Sequence, residues 1–93
     1  MDTQNLAVIH NAETNRFEVR VGKLVAVLEY RIAGNVMTIH HTGVPAELEG
    51  QGIGSRLARA SLEFAREHSL KVVPLCWFVD GYIRRHSEYQ SLL

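Results

Sequence analysis

Three stretches of this 93-residue chain carry residue types that could do chemistry. The first is "ELEGQGIGSRL", residues 47–57, where glycines at 50, 52 and 54 run into a helix-forming stretch. The first turn of a helix has backbone N–H groups with no partner inside the helix, and the macrodipole adds partial positive charge. Glycines let an anion come close to that backbone. The second is "VVPLC", ending in Cys76, the only cysteine. A thiolate is a nucleophile and a thiol a proton donor, but an unpaired cysteine is also commonly a small buried hydrophobe. The third is "IHHT", where His40 and His41 offer imidazoles that titrate near neutrality. Strand alternation sets one of them toward the core side and the other away from it.

Spacing narrows the glycine segment. A P-loop needs Lys and Ser/Thr after its last glycine, and here Ser55 and Arg56 follow Gly54. A G-x-G-x-x-G dinucleotide fingerprint begun at Gly50 needs glycine where Ser55 stands. Neither fits.

The elements that must position these residues follow from periodicity. "LAVIH" reads as a short strand and "NAETN" as a turn. "RFEVRV" alternates, with Phe17, Val19 and Val21 on one face and Arg16, Glu18 and Arg20 on the other. Short turns at Gly22–Lys23 and "AGN" lead into "LVAVLEYRI" and "VMTIHHTGV", which gives an antiparallel meander. From Gly54 to about His68 the period becomes helical, with Leu57, Ala60, Ser61, Phe64 and Ala65 on one stripe. Arg59, Glu63 and Glu67 fall on a solvent face. "LKVVPLC" reads as a strand whose Pro74 requires a bulge or an edge, and "WFVDGYIRRH" as a short helix. The order β-β-β-β-α-β-α predicts a single α/β (α+β) layered domain over residues 1–93.

Composition limits the partners. Ten basic and ten acidic residues cancel, so nothing points to nucleic acid or an anionic membrane. One cysteine excludes an intrachain disulfide, and the scattered histidines give no metal site. The longest apolar run, "VVPLCWFV", is too short to span a membrane, and "MDTQNLAVIH" does not read as a secretory signal. A cytoplasmic location is the expectation.

"EGQGIG", Glu49 to Gly54, resembles the R/Q-x-x-G-x-G/A segment with which GCN5-related N-acetyltransferases (GNATs) cradle the pyrophosphate of coenzyme A (CoA). With "HTGVPAELEGQGIGSRL", "LKVVPLC" and "YIRRHSEYQSLL", the whole chain is similar to the small GCN5-like subfamily called YjdJ-like or NATD1-like. The resemblance implies a truncated GNAT fold with a mixed, mostly antiparallel sheet and without the two helices that shape the acceptor site in larger relatives. It implies acetyl-CoA as cofactor and an amine as acceptor. Gln51, Gly52, Ile53, Gly54, Ser55 and Arg56 would then hold the pyrophosphate, and Thr42, Gly43 and Val44 the pantetheine arm. Cys76 would face the thioester, as proton donor or acyl carrier, and His41 would act as general base or orient Cys76. Glu49 departs from the family's leading Arg or Gln. Arg84 and Arg85 would either cap the last helix or meet the 3′-phosphate of CoA. Trp77 and Phe78 read as core or pocket wall. A non-catalytic acyl-CoA binding module, or an adaptor with no small-molecule site, is the alternative function.

Overall fold

Alternating runs closed by two-residue turns have one economical solution, in which each strand pairs with the next. The structure, a computed structural model describing residues 6–93, does this with β1 (Ile9–Asn11), β2 (Arg16–Val21), β3 (Leu24–Ala33) and β4 (Val36–Gly43). Helix α1 (Ile53–Glu67) then crosses to β5 (Lys71–Pro74), and α2 (Trp77–Arg85) follows. The five strands lie in the order β1-β2-β3-β4-β5, antiparallel except for the parallel β4–β5 pair. Pro74 is tolerated because β5 is an edge strand.

The first strand is displaced from its sequence reading: pairing begins at Ile9 and takes in Asn11. Two short 3₁₀ turns, Ala46–Leu48 and Ser87–Leu92, went unread in the sequence. The buried stripe of α1 is Ile53, Leu57, Ala58, Ser61, Leu62 and Ala65, so Ala60 and Phe64 stand at its margin rather than its centre. Phe64 joins a side cluster with His10, Phe17 and Tyr30. His10 stacks on Phe17 at 4.2 Å and lies 2.6 Å from the Tyr30 hydroxyl, which ties the three-residue edge strand to the core.

Glu18 departs most from the simple inside–outside pattern. It stands on the face opposite Phe17 and Val19, yet its side chain is 0% exposed. Arg16 and Arg20, its neighbours on that face, each approach its carboxylate to 2.7 Å and cover it. The Arg20 hydrogen bond leads in holding the Glu18 carboxyl below the usual glutamate range, burial opposes it, and the charges of Arg20 and Arg16 add to the lowering. A lowered folded-state value means that stability is present above the ordinary glutamate range and lost as pH falls through the folded value. Thermal unfolding of wild type and Glu18→Gln compared across pH checks this. The advantage of wild type should be full at neutrality and shrink below about pH 4.

Among the described residues, no helix is long and apolar enough to cross a membrane.

Candidate active site

The site forms where β4 and β5 part. Their ladder runs only from Val36–Lys71 to Ile39–Pro74. Beyond it the N–H groups of Leu75 and Cys76 both donate to the Ile39 carbonyl, at 3.0 and 3.2 Å, and the chain turns away into α2. Strand β4 continues to Gly43 paired with β3 alone. Its register slips between Glu29 and Tyr30, which leaves His40 as the extra residue of a β-bulge. The bulge changes the alternation: His40 and His41 are both exposed, whereas simple alternation had set one inward. Thr42, opposite Leu28, returns to the α1 side of the sheet.

The glycine segment is held at both ends by the core. Leu48, at the end of the 3₁₀ turn, is fully buried, and so is Ile53 at the start of α1. Between these anchors Gly50 (φ +84°) and Gly52 (φ +75°) adopt left-handed backbone with nothing within 4 Å of where a Cβ would stand. Glycine is required there by conformation, because side chains rarely adopt that region. Gly54 is favoured by packing: a Cβ would lie 2.8 Å from Phe78 Cζ, so the ring would have to shift. The three alternate glycines therefore have two different causes.

Phe78 on Gly54 brings the start of α2 against the start of α1. Farther along, the Tyr89 hydroxyl beyond α2 donates to Glu63 in α1 at 2.6 Å. Both helices consequently present their N-termini at the same end. Gly52 and Cys76 are the residues that precede each helix, and neither supplies a side-chain cap. The first main-chain bonds are Arg56 N–H to Gly52 and Asp80 N–H to Cys76, so the N–H groups of Ile53–Ser55 and Trp77–Val79 point out of the helix ends unused by them. Two dipoles thus add their positive ends.

Between them lies a groove of about 460 Å³, within the usual range for small-molecule sites. It is lined by Thr42 and Val44 from the β4 end, Leu48 to Gly50 and Gly52 to Ser55 from the loop and α1, and Trp77 and Phe78 from α2. The Cys76 thiol donates to Thr42 Oγ1 at 3.4 Å, across the parting of the strands.

Of the residues picked out in the sequence, Thr42, Val44, Gly52, Ile53, Gly54 and Ser55 line this groove, with Cys76 bonded to Thr42. Gly43, Gln51 and Arg56 are not among its lining residues; Arg56 lies in a second groove with Val8, Arg59, Ala60 and Glu63. His41 is not brought together with Cys76. Opposite Glu29, it lies on the other face of β4 from Thr42, with Nε2 3.0 Å from where a Gly43 Cβ would stand. Leu48, Glu49 and Gly50 line the groove without having been assigned to it, and Trp77 and Phe78, read as core or pocket wall, are walls of it. Glu49 is exposed at the rim, and Trp77, 83% exposed, is no core residue. Their position depends on the contact between α1 and α2, which no local spacing announces.

The family model for the GCN5-related N-acetyl-transferase matches residues 16–92. The chain belongs to that family. Among curated relatives, the NATD1 proteins of Mus musculus and Homo sapiens are each 33% identical over 90 residues. Those alignments cover 94% of this chain and 82% and 80% of the relatives. A solution structure of a GCN5-like protein from Staphylococcus aureus superposes with a TM-score of 0.74 at 35% identity, covering 95% of this chain and 87% of that one. The fold is accordingly that of a small, NATD1-like GNAT domain, α+β with a mostly antiparallel sheet.

Proposed function

We propose that this GNAT domain is an acetyl-CoA-dependent N-acetyltransferase in which Cys76 works at the thioester. The observation that supports it most is the convergence of two uncapped helix N-termini and the unpaired edge of β4 on one groove beside the Cys76 thiol. Acetyl-CoA, when bound, supplies the activated acetyl group.

The residues divide the work by their chemistry. N–H groups from Gly52 to Ser55 meet the diphosphate, as orphan donors at a helix start do. The β4 edge from Thr42 to Val44 offers main-chain partners to the amides of the pantetheine arm, and a free N–H near Val44 polarises the thioester carbonyl. As the amine nitrogen bonds to the carbonyl carbon and the C–S bond breaks, Cys76 gives its thiol proton to the departing sulfur. The 3.4 Å approach of its sulfur to Thr42 Oγ1, across the parting of β4 and β5, supports this placement. His41, on the opposite face, receives the proton shed by an amine that arrives from that side, and Cys76 regains its proton through solvent. The exposed surroundings suit a protein terminus, a lysine, a polyamine or another small amine.

Calorimetric titration with acetyl-CoA tests the cofactor, and thiol release with a panel of amines tests the transfer. The expected result is binding with Kd below about 1 mM and amine-dependent release. No binding up to that concentration overturns the proposal.

A further inference from the structure

Among the described residues, the most exposed large hydrophobic side chains are Trp77 at 83% and Leu75 at 67%, and they stand on either side of Cys76. Exposure alternates along this stretch. Val73, Leu75 and Trp77 face solvent, while Val72, Pro74, Cys76 and Phe78 between them are buried or half-buried. Val73 pairs with Thr38, on the face of the sheet away from the buried Met37 and Ile39, and His41 stands on that same open face. An apolar ribbon thus follows the edge of the sheet to the parting of β4 and β5 and ends on Trp77, which is also a wall of the groove.

The ribbon reads side chains rather than backbone. Lys71 and Leu75 send their N–H groups to the carbonyls of Asn35 and Ile39 in β4. Alternation therefore turns the nitrogen of residue 74 outward, where proline has no hydrogen to offer an added strand. Side chains two residues apart, such as Val73 and Leu75, lie about 6–7 Å from one another, the repeat of an extended peptide. At the groove end, Glu49 is the one charged side chain among the described lining residues; it is exposed and in no ion pair there. A cationic amine approaching that end meets a carboxylate.

We propose that Leu75 and Trp77 dock the acceptor, and that the acceptor is the free α-amino end of an extended peptide with an apolar side chain beside its terminal residue. This rests on the acetyl-CoA reading above and names the amine it serves. The apolar side chain covers Leu75 and the indole of Trp77, which sets the terminal nitrogen at the parting of the strands, between His41 and Cys76. An α-amine loses its proton near pH 8 and a lysine only above about pH 10, so an open site with an imidazole as proton acceptor is matched to the former. The nitrogen bonds to the acetyl carbon, the C–S bond breaks, and the protons move as given above.

Thiol release at saturating acetyl-CoA tests this with short peptides carrying leucine or serine as second residue, a terminally blocked lysine peptide, and spermidine. Wild type should favour the leucine peptide over the serine peptide about tenfold in kcat/KM, the scale of one aliphatic contact. The preference should vanish in Leu75→Ser and Trp77→Ser and persist in Ile32→Ser, an exposed apolar residue at the other end of β3. Trp77 is the only tryptophan, so its emission should shift to shorter wavelength when the leucine peptide is added to the CoA complex and stay put with the serine peptide. Equal rates for the two peptides, faster transfer to lysine or spermidine, or a preference that survives both substitutions overturns the docking surface and leaves the cofactor reading standing. Failure to bind acetyl-CoA, or bound acetyl-CoA that no amine of the panel consumes, removes the transferase reading and the docking surface together.

Discussion

Replacing Cys76 by alanine should lower kcat for acetyl transfer by about 10²–10⁴ while acetyl-CoA binds within about twofold of wild type. The thiol bridges the gap between α2 and β4 through Thr42, and in the proposed mechanism its removal takes away the proton donor for the departing sulfur. It leaves in place the N–H groups proposed to hold the diphosphate. The cysteine is half-buried beside the core, so alanine leaves a small void and a modest stability loss, which a melting curve separates from the catalytic one. Serine should restore part of the rate, because a hydroxyl retains a proton to donate. Intact-mass measurement after mixing with acetyl-CoA gives a further reading. An acetyl adduct on Cys76 that is passed to the amine would replace proton donation by covalent transfer, whereas undiminished turnover in Cys76→Ala would remove the residue from the mechanism altogether.

Gly54→Ala should destabilise the protein by about 1–3 kcal/mol and weaken acetyl-CoA binding at the same time. The added methyl would stand 2.8 Å from Phe78 Cζ and 3.1 Å from Cε2, closer than a Cβ can sit. The aromatic ring must move, and Phe78 is both the contact between the two helices and a wall of the groove. Alanine's better helix propensity, about 1 kcal/mol in a helix interior, offsets part of the clash and less in a first turn. The combination Gly54→Ala/Phe78→Leu should recover both stability and affinity, and a double-mutant cycle measures the coupling. Gly50→Ala is the contrasting case, since its backbone strain meets open space. It should reduce stability by about 1 kcal/mol without shifting Phe78. Equal effects at the two positions would disprove the packing account of Gly54.

The meander was legible because alternation and turn chemistry are local. "RFEVRV" alone marks β2 to its ends at Arg16 and Val21, and Pro74 alone demands an edge or a bulge. The long helix was legible for the same reason, although its buried side takes in Ala58 and Leu62 where the spacing had set Ala60 and Phe64. Glu18 was misleading. Residue type puts a carboxylate in water, but two arginines on the same strand face close over this one.

The candidate site divides along the same line. Sequence by itself determined the antiparallel meander of the first four strands and a glycine-rich turn opening a helix, since each is written in the types and spacing of neighbouring residues, while the family came from the resemblance of the whole chain. Only the tertiary structure decided that a bulge at His40 leaves both histidines exposed, with His41 across the strand from Thr42 and Cys76. It alone showed that Gly54 makes room for a ring 24 positions away and that α1 and α2 aim their N-termini into one groove. Such facts arise where elements distant along the chain approach to within 3–4 Å. The excluded volume and charge at those approaches leave no period in the sequence.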